Sequence, residues 1–68
     1  MTPNGTAIRA IRRSQYLSLR EVAARTGRDV GFLSRLERGL SGASEETLRR
    51  IAAALTVPVA AINREEQP

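Results

Sequence analysis

Eleven arginines are spread through 68 residues without a single lysine, and the formal net charge is +4. A guanidinium stays charged at any physiological pH. Its planar fork of N–H donors matches a phosphate or the O6/N7 edge of guanine. The other chemistry open to the chain is narrow. There is no histidine and no cysteine, which removes the commonest general base, the commonest metal ligand and any disulfide or thiolate site. The remaining carboxylates and hydroxyls form no obvious catalytic group, so no enzyme is expected, nor a metal, a cofactor or a small-molecule ligand. The arginine bias also fits a GC-rich coding sequence, as do the many alanines. The positive balance itself favours a polyanionic partner.

Short helices must carry those arginines. No strand-like alternation occurs, and Tyr16 and Phe32 are the only aromatics. The length suits one small domain over residues 1–68, with a core from about 6 to 63 and a polar tail over 64–68; fraying is expected from Asn63 onward. No apolar run reaches 18 residues, and the N-terminus lacks a signal-peptide core, so a cytoplasmic location is expected.

Caps and apolar spacing predict five helices. The first covers residues 6–14, capped by Asn4 or Thr6, with Ile8 and Ile11 inward. Arg12 falls on that same inward stripe and therefore needs a partner. The second begins at Ser18, where Ser18 and Glu21 form a capping box. Leu19, Val22, Ala23 and Thr26 follow at helical spacing, and Gly27 stops it. Asp29 caps the third, which runs to Arg38 and ends at Gly39. At about 100° per residue, Asp29, Leu33, Leu36 and Glu37 share its inner side. Gly31, Arg35 and Arg38 face outward, Ser34 lies on the flank, and Val30 and Phe32 sit on the shoulders. Ser44 caps the fourth, with Glu45 and Glu46 at its positive end and Leu48, Ile51, Ala52 and Leu55 inward. Pro58 opens a short fifth with Val59 and Ile62.

The second and third helices, with Gly27 and Asp29 between them, have the spacing of a helix-turn-helix. Ala23, four residues before Gly27, provides the small side chain that close helix approach demands. "IRAIRRSQYLSLREVAARTGRDVGFLSRLERG" and "SEETLRRIAAALTVPV" together resemble the Cro and lambda-repressor-like (XRE-type) DNA-binding domain. The resemblance spans residues 8–62. It rests on Arg12, Leu17-Ser18, Val22-Ala23, Gly27, Leu33-Ser34, Leu36-Glu37-Arg38-Gly39 and Ile51-Ala52, all in register without a gap. It implies an all-α, compact five-helix lambda-repressor-like domain whose third helix enters the major groove. It also implies a homodimer on two-fold operators, and a partly buried ion pair between Arg12 and Glu37.

The resemblance assigns base contact to Val30, Gly31, Ser34 and Arg35. Arg35 is the strongest donor of these, and Gly31 would let the helix approach the groove floor. Phosphates would meet the free N–H groups at the second helix N-terminus, at Ser18, Leu19 and Arg20. Arg38, Gly39 and Leu40 lie at the family's second phosphate clamp, and Arg28 adds charge beside it, with Arg9 and Arg13 as electrostatic helpers. The chain departs from the family at Leu19, where glutamine is usual, at Arg28, where an apolar residue is usual, and at Ala43 and Glu45. Val57, Val59 and Ile62 exceed the needs of a short last helix, so the segment over 55–62 is the expected dimer surface.

Two functions fit. One is a sequence-specific double-stranded DNA-binding transcriptional regulator of repressor or controller type, nucleoid-associated when bound. Such lone domains resemble phage Cro-type repressors, restriction-modification controllers and antitoxins. The other is a protein-interaction module or antitoxin-like partner that docks through the apolar Val30/Phe32 segment and binds DNA weakly.

Overall fold

The computed structural model describes residues 2–64. Four α-helices follow in order: α1 Gly5–Ser14, α2 Leu19–Thr26, α3 Val30–Glu37 and α4 Glu45–Leu55. Each starts at a side-chain cap that satisfies orphan backbone N–H groups. Asn4 accepts from the Ala7 N–H at 3.1 Å, Asp29 from Phe32 at 3.2 Å and Ser44 from Thr47 at 3.1 Å. Ser18 and Glu21 form the reciprocal capping box of α2, both bonds at 3.0 Å.

The helices stop by left-handed residues. Gly27, at φ 69°, closes α2 with its N–H on the Ala23 carbonyl. After α3, Gly39 at φ 77° bonds back to Leu36 and Leu40 to Arg35, a Schellman motif. The same pair of bonds ends α1 at Tyr16 and α4 at Thr56, both at φ 59° and neither a glycine.

α4 is the central element. It packs on α2, α2 packs on α3, and α1 crosses α3. Their apolar faces meet in one core of Ile8, Val22, Leu33, Leu36, Leu48, Ile51, Ala52, Leu55 and Ile62. At the α1–α3 crossing, a side-chain carbon on Gly5 would lie 2.6 Å from the Glu37 carbonyl oxygen and closer still to that of Leu36. Glycine is required there because the N-terminus of α1 rests directly on the C-terminal carbonyls of α3. That contact also sets opposite helix-dipole ends together.

The expected fifth α-helix is absent among the described residues. A three-residue 3-10 turn, Val59–Ala61, stands in its place. Pro58 has extended ψ and makes no side-chain cap, and Ile62 at φ −122° already leaves helical geometry. The chain turns there to pair with the N-terminal segment. The Asn4 N–H donates to the Ile62 carbonyl, the Arg64 N–H to that of Thr2, and Pro3 and Asn63 form an antiparallel bridge. Residues 63 and 64 are thus tied down rather than frayed; the rest of the tail lies outside the described residues. No helix among them is long and apolar enough to cross a membrane.

Candidate nucleic-acid interface

α2 and α3 form the helix-turn-helix, and the turn between them is fastened from within. Thr26 is buried. Its hydroxyl donates to the Val22 carbonyl at 2.8 Å and accepts the Arg28 N–H at 3.3 Å. Leu33 and Leu36 bury the inner side of α3 against Val22 and α4. The opposite side is therefore presented outward: Val30 and Arg35 are exposed, and Gly31 and Ser34 half-exposed.

Arg12 of α1 holds the end of α3. Its Nε and Nη2 donate to the two Glu37 carboxylate oxygens at 2.7 and 3.0 Å, and Nη1 donates to the Leu17 carbonyl at 2.8 Å. The side chains are 12% and 6% exposed. Hydrogen bonding to the Glu37 carboxylate, with its charge, raises the Arg12 pKa although burial opposes this. Each of the three guanidinium nitrogens thus has an acceptor, which offsets the cost of taking the charge out of water.

Gly31 does more than thin the helix. A side-chain carbon there would fall 2.9 Å from the Asp29 carboxylate and 3.4 Å from the Arg35 guanidinium. The Arg35 head therefore lies back over the first turn of α3, the direction helical side chains take. Leu19, Ser34, Arg9 and Arg38 line one cleft with the Arg12–Glu37 pair, so α1, the start of α2 and the outer flank of α3 converge there. The apolar Leu19 that replaces the family's glutamine packs against the core edge.

Several assigned contacts sit differently from their expectation. The Ser18 N–H is not free, since it donates to Glu21; the first-turn N–H groups left over belong to Leu19 and Arg20. Arg28 reaches α4, with Nε on the Thr47 hydroxyl at 3.2 Å and Nη2 on Glu46 at 3.5 Å. Arg38 folds back onto the Ser34 carbonyl at 3.3 Å, while Gly39 and Leu40 are exposed beside it. Phe32 is half-buried and packs against the core. Leu55 and Ile62 are fully buried, and Val57 and Val59 are half-buried against the core, with Pro58, Ala60 and Ala61 exposed beside them. Tyr16, in the loop before α2, is 94% exposed.

The arginines differ in whether a carboxylate meets them. Arg28, Arg49 and Arg50 have ion-pair partners in Glu45 and Glu46 at the start of α4. Arg9 and Arg13 on α1, Arg20 on α2, and Arg35 and Arg38 on and after α3 have no carboxylate partner among the described residues. Arg25 and Arg64 likewise lack a carboxylate partner among the described residues, Arg25 donating to the Ala54 carbonyl at the end of α4 and Arg64 to Asn4, so unpaired cations lie beside the helix-turn-helix without being confined to it.

A compact helical domain with an outward α3 and unpaired arginines around it defines a helix-turn-helix of DNA-binding type. The chain belongs to the XRE-type helix-turn-helix family, whose pattern it matches over residues 8–62. It is 42% identical over 53 residues to the uncharacterized HTH-type transcriptional regulator Rv0474 of Mycobacterium tuberculosis, covering 78% of this chain and 38% of that one. It therefore spans about two fifths of that relative's length. Among solved structures, the clp gene regulator ClgR from C. glutamicum superposes with a TM-score of 0.78 at 39% identity, over 82% of this chain and 73% of that one. The biofilm regulator SinR, solved in complex with DNA, gives 0.78 at 33% identity, over 82% and 90% of the two chains.

Proposed function

We propose that this domain is a sequence-specific double-stranded DNA-binding transcriptional regulator that lays α3 in the major groove. The observation that carries the reading is unpaired charge beside the outward face of α3: Arg9 and Arg38 line one cleft with Ser34, Arg35 stands exposed on the helix itself, and none of the three has a carboxylate partner among the described residues. Relatives that are transcriptional regulators, one of them solved on DNA, support it. In this reading Arg35 grips a guanine edge, Ser34 serves a second base, Val30 meets a thymine methyl, and Gly31 makes room for the Arg35 head. The N–H groups of Leu19 and Arg20, with Arg38, Gly39, Leu40, Arg9 and Arg13, hold phosphates and set the register. The protein acts by binding and not as an enzyme, in the cytoplasm at the nucleoid. It binds as a homodimer on a two-fold site, as the family resemblance implies. The docking alternative through Val30 and Phe32 loses support because Phe32 is half-buried and packs against the core.

Selection from a random DNA library, followed by sequencing, tests the proposal. A two-fold motif should emerge. Arg35→Ala should relax preference at one base pair per half-site, a discrimination of about 1–3 kcal/mol. Arg38→Ala should weaken all sequences alike and shrink the salt dependence. No enrichment, together with no binding to random DNA at low salt, refutes it.

A further inference from the structure

Arg28 stands immediately before the N-cap of α3 and is the residue through which α4 takes hold of that helix. Its Nε donates to the Thr47 hydroxyl at 3.2 Å, and its Nη2 reaches Glu46 at 3.5 Å. The acceptor is itself fixed. Thr47 is 6% exposed, its N–H is bonded to the Ser44 hydroxyl oxygen, and the Ser44 hydroxyl donates to Thr47 Oγ1 at 3.0 Å. A second arginine of α4 grips the same turn, Arg50 donating to the Thr26 carbonyl at 3.5 Å. Glu46 lies within 3.9 Å of Arg50 as well, so one carboxylate serves both arginines.

This differs from the arginines that are free to meet DNA. Arg9, Arg20 and Arg35 have no carboxylate partner among the described residues. Arg28 is only 29% exposed and already holds a hydroxyl and a carboxylate.

We propose that Arg28 is a positioning residue for sequence reading: it ties the start of α3 to the first turn of α4, sets the angle at which α3 approaches DNA, and makes no phosphate contact. The proposal rests on the DNA-binding reading. Its physical basis is leverage. Arg35 lies five residues beyond Val30, about 7.5 Å along the helix axis. A tilt of about 10° at the start moves that position by roughly 1.3 Å, more than the width of the usual N–H···O distance range. Phosphate contacts tolerate such a shift better than a bidentate base contact does, because flexible side chains can follow a phosphate while the base edge is fixed in geometry.

Two variants test it, Arg28→Ala and Thr47→Val. Thr47 is too buried to touch DNA, and its replacement leaves the charge unchanged. Affinity is measured for the selected sequence and for random duplex over a salt series, at a temperature where circular dichroism shows each variant folded. Backbone amide exchange over residues 29–33 is measured without DNA. Both variants should lose about two- to tenfold on the selected sequence beyond any loss on random duplex, the range a single lost hydrogen bond gives. Both should keep the wild-type slope of log affinity against log salt, and both should exchange faster at the start of α3. If Arg28→Ala weakens both DNAs equally and reduces the slope by about 0.9 while Thr47→Val does nothing, Arg28 is a phosphate contact and the proposal is wrong. Wild-type protein that binds no DNA defeats the parent reading alone. The exchange measurement then decides: unchanged amides at residues 29–33 in both variants overturn the positioning role.

Discussion

Replacing Glu37 by alanine should leave this domain close to unfolded at 37 °C. The substitution removes both carboxylate acceptors of Arg12 and leaves the guanidinium with one partner, the Leu17 carbonyl. The site is 12% exposed on the arginine side, so water replaces the lost acceptors poorly. Removing one member of a buried pair costs about 3–5 kcal/mol. A chain of 68 residues holds roughly 3–10 kcal/mol of total stability. The loss is therefore comparable with the whole. In a domain of this size each kcal/mol moves Tm by about 4–8 °C, so the midpoint should fall by more than about 12 °C. Thermal melts followed by far-ultraviolet circular dichroism measure this. The compensated variant, Arg12→Met with Glu37→Leu, should recover much of the loss, because it removes the stranded charge with the pair. A Glu37→Ala midpoint within about 4 °C of wild type refutes the argument, since less than about 1 kcal/mol would then be at stake.

Three further outcomes follow from the geometry. Thr56→Gly should raise Tm by a few degrees, because a β-branched residue at φ 59° gives up about 1–3 kcal/mol of backbone strain, partly offset by unfolded-state entropy; a lower Tm would contradict this. Gly5→Ala should cost about 1–3 kcal/mol in urea denaturation, as the methyl group meets the Leu36 and Glu37 carbonyls; an unchanged midpoint would show that α1 can slide. The Ser18 backbone N–H and hydroxyl hold the Glu21 pKa below 4.5. A lowered folded pKa means the capping box supports α2 fully above the ordinary carboxylate range and loses that support as pH falls through the lowered value. The Ser18 amide resonance should therefore titrate with a midpoint below that of a free-peptide glutamate, and a midpoint at or above it would contradict the assignment.

The readable parts of the fold were those built from short-range hydrogen bonds. Ser18, Asp29 and Ser44 cap α2, α3 and α4 at their expected positions because a cap spans only four consecutive residues. Gly27 and Gly39 stop their helices for an equally local reason. Tyr16 and Thr56 make the same stop without the glycine that would have announced it. Their positions are imposed by how α1 and α4 must end for the chain to return to the core. The five-helix expectation ran one helix too far because Pro58 and the apolar residues after it look like a helix start; pairing with residues 2–4 decides otherwise. Arg28 was legible as a charge and illegible as a link, since Thr47 lies nineteen positions away.

The sequence by itself determined the four α-helices and the two faces of α3, which follow from periodicity and caps acting over at most one or two turns of chain, and its resemblance over residues 8–62 pointed to the family. The tertiary structure alone decided which arginines lack a carboxylate partner among the described residues, that Gly5 must lack a side chain, that residues 62–64 pair with residues 2–4, and that Arg28 reaches α4. Those outcomes depend on distances between helices. Such distances are set by packing the whole core at once and leave no periodic trace in the chain.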